Sequence, residues 1–254
     1  MALSLQRREY KYLIDEATAD RVRRYISPCC TIDRYATASG RYTTITLYLD
    51  SLRLHVYRAT IEGEPIRYKL RIRGYPDAAD APVFLEVKRR VDDIIAKTRV
   101  PVRGDWARWL DDRTLVERVG ARDRRAAENF VSHYEASFAG SLVPSVLVRY
   151  EREAYVSHCD DYARVTFDRK LCYQPTSELS LVPGHDHWTT FDDPVAMRVA
   201  SARSLVVLEL KFQQVVPAWM KRLVQTLELR RDSFCKYARA IDSMLYRPLA
   251  RTQR

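Results

Sequence analysis

PIRYKLRIRGY, residues 65–75, alternates cationic and apolar side chains along most of its length. Successive side chains of an extended strand leave opposite faces, so Arg67, Lys69, Arg71 and Arg73 share one side. Ile66, Tyr68, Leu70 and Ile72 share the other. Like charges in line repel, and a row of four cations needs a counter-anion. Several other stretches carry the same pattern. FLEVKRR (84–90) puts Glu86 and Lys88 on one face, and VLELKFQ (207–213) does so with Glu209 and Lys211. Lys97 and Arg99 oppose Ala96, Thr98 and Val100; Arg164, Thr166 and Asp168 oppose Val165 and Phe167. Tyr150 pairs with Arg152 in VRYERE, and Arg7, Glu9 and Lys11 line up in QRREYKYLI (6–14).

A half-buried antiparallel sheet with a solvated outer face has this alternation too. Surface strands, however, mix polar residues and both charge signs. A sheet closed on itself with the charges inside accounts for the excess of one sign: its lumen is a polar tunnel lined mostly by Lys and Arg, and its apolar exterior needs helices to cover it. Segments of helical period are present. Asp15 is suited to cap a helix over 15–27 with Val22 and Ile26 on one face, and Pro28 ends it. Residues 104–139 have helical spacing, as does the tail over about 217–246. Strands are expected for RYTTITLYLD, LHVYRAT, PIRYKLRIRGY, PVFLEVKRR and DIIAKTRVPV between 41 and 102, then over 144–157, 161–169 and 204–212, with a long surface loop over 174–203. The expected fold class is α+β: one domain, 1–254, built as a closed antiparallel eight-stranded β-barrel with helices packed on the outside.

Of the 254 residues, 46% are hydrophobic and 30% charged, enough apolar material for a sizeable core. The net charge of +10 favours a polyanionic partner: nucleic acid, anionic membrane or a phosphorylated small molecule. Cysteines 29, 30, 159, 172 and 235 have neither zinc-like spacing nor a disulfide framework, which fits a reduced, cytoplasmic setting. No signal peptide or membrane span is expected, because the N-terminus has no apolar h-region and no window approaches ~18 apolar residues.

The runs RREYKYLI, TLYLD, RYKLRIRGY, FLEVKRR, AKTRV, VRYEREAY, RVTFD, VLELK and SFCKY occur in this order over nearly the whole chain. Together they resemble the VTC (vacuolar transporter chaperone) domain, a polyphosphate polymerase domain of the triphosphate tunnel metalloenzymes, related to the CYTH group. The resemblance implies an eight-stranded tunnel in which the terminal phosphate of ATP passes to a growing polyphosphate chain with Mn²⁺ or Mg²⁺. It implies phosphate or nucleotide contacts for Arg71 and Arg73, continued by Lys88, Lys97, Arg99, Arg152 and Arg164. Lys11, Arg67, Lys69 and Lys211 join that lining, Tyr150 stands near the site, and Lys236 matches the lysine of the C-terminal S-K-[YF] signature. Glu209 matches the metal-holding position, with Glu86 and Glu9 as further metal ligands or as orienters of neighbouring lysines. Two positions depart from the pattern: Cys235 replaces the signature serine, and Ser233 stands where polymerising relatives carry a lysine. The resemblance further implies a stand-alone soluble form, open to association with a membrane partner protein.

Phosphoryl transfer onto an already ionised phosphate needs positioning and charge neutralisation and no general base, which suits a site of Arg, Lys and few Glu. Two alternatives use the same face: a tripolyphosphate or nucleoside triphosphate hydrolase, with Glu86 or Glu9 positioning water, and a non-catalytic polyphosphate-binding module. Specific nucleic-acid binding is disfavoured, because the aromatics of the richest strand, Tyr68 and Tyr75, fall one opposite the arginine row and one beyond it, where they do not stack bases along that row. His185 and His187 read as a polar loop without a third metal ligand. Cys29–Cys30 and Trp106, Trp109, Trp188 and Trp219 read as packing residues.

Overall fold

The computed structural model describes residues 8–78, 80–91, 94–135, 142–160, 162–191 and 206–246. Arg7, residues 136–139 of the expected helical segment and residues 192–203 of the expected loop lie outside these. In order the elements are β1 (Arg8–Ile14), α1 (Glu16–Ile26), β2 (Cys30–Ile32), β3 (Tyr42–Asp50), α2 (His55–Ile61), β4 (Ile66–Gly74), β5 (Val83–Val91) and β6 (Ile94–Val102). There follow α3 (Trp106–Asp111), α4 (Leu115–Arg118), α5 (Arg124–Glu135), β7 (Val143–Ser157), β8 (Ala163–Pro175), β9 (Thr189–Thr190), β10 (Val206–Phe212), α6 (Ala218–Thr226), β11 (Arg231–Asp232) and α7 (Lys236–Tyr246).

All strands join one antiparallel sheet in the order β11-β1-β10-β8-β7-β3-β4-β5-β6, with β2 paired to β7 and β9 to β8. The eight long strands match the expected number, but the expected closure is absent. No hydrogen-bonded ladder joins β6 to the β1–β11 edge among the described residues. The sheet is nevertheless curled enough for Lys88 of β5 to lie 3.8 Å from Glu9 of β1. Charged side chains, rather than backbone pairing, bring the two flanks together.

The apolar strand faces pack outward against helices, as the alternation requires. Leu47, Leu49, Leu70, Ile72, Leu85, Val87 and Val100 share a buried cluster with Leu110, Leu115, Ala127 and Phe130 of α3–α5. Tyr12, Val165, Phe167, Leu208 and Leu210 meet Ala19, Val22 and Ile26 of α1 and Met220 and Leu223 of α6. Asp15 caps α1 as expected, accepting a 2.8 Å bond from the Thr18 N–H. The expected helical insertion is three short helices, broken where Arg113 turns into left-handed conformation at φ 57°.

The short strands β2, β9 and β11 were not expected, β9 falling within the expected loop, and two larger elements depart from the sequence expectation. LHVYRAT is helix α2, not a strand. Leu54 adopts φ 55°, reversing the chain, and the buried Asp50 carboxylate at the end of β3 accepts the N–H groups of Val56 and Tyr57, each at 2.9 Å. A carboxylate at a helix N-terminus satisfies donors that a strand ladder would otherwise take. The second departure is α7, which was expected on the outside. It sits instead on the concave side: Tyr237 stacks on Tyr48 with centroids 5.0 Å apart, and its hydroxyl donates to Asp50. Tyr48 lies opposite Arg71 in register and therefore on the charged face. A bulge at the β7–β8 pairing, near Lys170 at φ 48°, sets Tyr173 opposite Val148 and extends this apolar end.

Asp50 thus ties β3, α2 and α7 together. Tyr237→Phe removes one charge-assisted bond and is expected to lower unfolding stability by about 1.5–3 kcal/mol in urea titration. A change below about 0.5 kcal/mol would show that Asp50 does not hold α7.

Candidate functional site

Strand register decides which cations meet. Lys69, Lys88 and Lys97 stand in one row across β4, β5 and β6, and Arg71, Glu86 and Arg99 in the next. On the other flank Lys11, Glu209 and Thr166 form a row across β1, β10 and β8, beside a row of Glu9, Lys211 and Arg164. Arg152 of β7 faces Asp168 of β8. All of these residues share the concave face.

Two acidic centres organise the cations. Glu86, fully buried, lies 2.6 Å from Arg71 Nε, 2.6 Å from Lys97 Nζ, 3.1 Å from Arg99 Nε and 4.0 Å from Arg73. Opposite it, Asp168 accepts both Nε (2.6 Å) and Nη2 (2.7 Å) of Arg152, with Lys236 at 2.6 Å. Glu209 lies 2.6 Å from Lys211, 3.3 Å from Arg152 and Lys236, and 3.6 Å from Lys11. Glu9 bridges the flanks, 3.2 Å from Lys11 and 3.8 Å from Lys88. Burial alone would raise the pKa of Glu86, but Arg71, Arg73 and Lys97 hold it well below the carboxylate range. Lys211, Lys236, Lys11 and Arg152 do the same for Glu209 against its own burial.

The carboxylates do not reach every cation. Lys88 has one carboxylate within 4 Å among the described residues, Glu9 at 3.8 Å. Glu9 raises its pKa, yet burial and the repulsion of Lys11 and Arg71 bring it down to about 8. Arg67 stands opposite Arg90 in register, and burial and that repulsion pull its pKa down. Lys69 interacts with Cys235, whose thiol pKa burial would raise but Lys69, Lys11 and the Ala238 N–H at the start of α7 pull down. The thiol therefore sits in a cationic setting at the place of the signature serine. Ser233 is exposed.

The fold brings Lys11, Lys69, Arg71, Arg73, Lys88, Lys97, Arg99, Tyr150, Arg152, Lys211 and Lys236 to this face with Glu9, Glu86 and Glu209. Lys236 also stands over the Tyr150 ring at 4.8 Å. Arg67 is at its margin, and Arg164 is tied to Asp33. Asp168 was not among the nominated residues. The alternation in RVTFD had put it on the charged face, but its bidentate partner Arg152 comes from another strand and emerges only with register. His185 and His187 lie in the loop after β8, where Gln174 donates to their carbonyls at 2.8 and 2.9 Å.

Among the described residues no three His, Cys, Asp or Glu side chains are grouped to hold a metal. Mg²⁺ is often held by one or two carboxylates plus substrate phosphates, and Glu9 and Glu209, which share Lys11, fit that need. Glu86 is ringed by Arg71, Arg73, Lys97 and Arg99, much as Glu209 is by Lys211, Arg152, Lys236 and Lys11.

The VTC domain family matches residues 6–245. The chain belongs to the VTC domain family. Solved structures similar to this VTC domain include a Bacillus halodurans protein with a provisional adenylate cyclase assignment (11% identity, 89% of this chain and 92% of that one, TM-score 0.49). Others are a Pyrococcus horikoshii protein (9%, 94% and 99%, TM-score 0.45) and the triphosphatase of the mimivirus capping enzyme (9%, 89% and 89%, TM-score 0.34). No curated protein matches the sequence. No helix among the described residues is long and apolar enough to cross a membrane.

Because Lys88 carries its proton only below about pH 8, polyanion binding to the VTC domain is expected to take up protons near that pH and to weaken as pH rises through it. Calorimetry with tripolyphosphate in buffers of different ionisation heat measures the uptake. Lys88→Arg, which stays charged, should abolish it; equal heats for the unsubstituted protein would contradict the assignment.

Proposed function

We propose that this VTC domain transfers the terminal phosphoryl group of ATP to a polyphosphate chain held on the concave basic face, with Mn²⁺ or Mg²⁺. The observation that carries the reading is the imbalance of that face. Arg71, Arg73, Lys88, Lys69, Arg152 and Lys236 converge on few carboxylates, and Lys69 and Lys88 are left poorly compensated. A chain of phosphates supplies the missing charge at regular spacing, and Arg forks suit its oxygens.

Arg71 and Arg73 bind and orient the donor triphosphate, with Arg152 and Lys236 offsetting charge on the acceptor side. Mg²⁺ or Mn²⁺, when bound, would neutralise part of the phosphate charge, and Glu9 and Glu209 are the residues that would hold it. The attacking phosphate oxygen is already ionised and needs no base. The state of the carboxylates favours this reading over hydrolysis: Glu86 and Glu9, the two residues that a hydrolase would turn on water, are held below the ordinary range by their cations, which makes them weak bases.

Incubation with ATP and Mn²⁺ or Mg²⁺ is expected to yield ADP and a ladder of polyphosphate on a toluidine-blue gel. Release of inorganic phosphate without a ladder would move the assignment to a hydrolase. Tight polyphosphate binding with neither product would leave a binding module. Arg71→Ala is expected to weaken ATP binding by about 1.5–3 kcal/mol, roughly ten- to 150-fold, measured by calorimetry. Unchanged affinity would place the triphosphate elsewhere.

A further inference from the structure

The concave face has two unlike ends. At one, α7 packs Tyr237 against Tyr48, and Phe191 meets both Tyr173 and Phe234. At the other, just beyond Arg73, a chain of half-buried aromatics marks the rim. Tyr42 meets Tyr75 edge-on at 5.8 Å, and Tyr75 meets Phe84 likewise at 5.8 Å. Arg99 lies flat against this group: its guanidinium carbon is 3.3 Å from the Phe84 centroid, its Nη2 donates to the Tyr75 hydroxyl at 3.1 Å, and its Nε faces Glu86 at 3.1 Å.

This geometry turns one side of Arg99 away from phosphate. Its Nε and Nη2 are engaged by Glu86 and Tyr75, which leaves the Nη1 end as its open hydrogen-bonding edge. Its side chain is still 37% exposed. With the guanidinium carbon over the Phe84 ring, the planar face away from Phe84 is braced in orientation by Tyr75 and Glu86. A guanidinium plane held between an aromatic ring and open space is a stacking platform for a flat heterocycle. Arg73, Arg71 and Lys69 share one face of β4 and descend from the rim in that order, about 7 Å apart, so a triphosphate, which is shorter than the row, can lie along part of it with its outer end toward the rim.

We propose that Arg99, backed by Phe84 and braced by Tyr75, is a nucleobase subsite at the open rim, which sets the nucleoside of ATP outward and its terminal phosphate inward toward Lys69 and Lys88. The inference rests on the reading of the face as a triphosphate site and adds a specificity element to it: a nucleoside triphosphate is distinguished from bare tripolyphosphate by the rim, not by the cationic interior.

The test compares two ligands on the same variants. Dissociation constants for ATP and for tripolyphosphate are measured by calorimetry for the unsubstituted protein, Phe84→Leu, Arg99→Lys and Tyr75→Phe, with etheno-ATP fluorescence reporting stacking directly. The preference for ATP over tripolyphosphate is expected to fall roughly tenfold in Phe84→Leu and Arg99→Lys, the loss of one stacked base. Quenching of the etheno fluorophore should weaken in parallel. Tyr75→Phe keeps the ring and removes only the brace, so a smaller fall is expected in a fold left intact. Equal loss of both ligands would make Arg99 a phosphate contact and overturn the subsite, as would an unaltered preference. Failure of the unsubstituted protein to bind either ligand would instead sink the triphosphate reading itself.

Discussion

An ionised carboxylate moved out of water loses several kcal/mol of solvation, and only close cations restore it. Glu86, Asp168 and Glu209 are each nearly excluded from solvent and each lie within 4 Å of two or more Lys or Arg side chains. The dependence is mutual. Without these carboxylates Arg71, Arg73, Arg152 and Lys236 would face one another across a confined space with nothing to offset their repulsion. With them, the face can hold an excess of positive charge and still fold. The carboxylates set how much cation the face tolerates; the surplus is the charge that the proposed polyanion would meet.

This electrostatic arrangement explains the inverted architecture. A sheet that keeps its charges on the concave side must turn its Leu, Ile and Val outward, and helices α1 and α3–α6 cover them. It also explains how an unclosed sheet stays curled: the Glu9–Lys88 contact spans β1 and β5, strands that no ladder joins. A bound chain of phosphates, drawn to both flanks, would strengthen the same curl.

The departures from the family signature are also electrostatic. A serine at the position of Cys235 would offer a neutral hydroxyl. The thiol instead lies beside Lys69 and Lys11 at the first turn of α7, where cations and a helix N–H favour its ionised form. The interaction with Cys235 partly compensates Lys69, which has no carboxylate of its own among the contacts described. The lysine of polymerising relatives is replaced by Ser233, an exposed residue, so that position adds no charge to the buried part of the face.

Residue alternation in PIRYKLRIRGY, FLEVKRR, RVTFD and VLELK was enough to separate a charged from an apolar face, because side-chain direction along a strand is local geometry. The Asp15 cap and the Val22–Ile26 stripe of α1 were legible for the same reason. By itself, then, the sequence determined the eight long strands, the side of each that carries charge, and the cations that share it. Only the tertiary structure decided which charges meet. Arg152 found Asp168, and Glu86 rather than Glu209 became the hub of the β4–β6 flank, through interstrand register, which no single strand encodes. LHVYRAT became a helix because Asp50, reached through a turn at Leu54, supplied the N-terminal acceptor. The position of α7 inside the curl, and the lack of a ladder between β6 and β1, likewise depend on contacts between residues far apart in the chain, whose distances local periodicity does not contain.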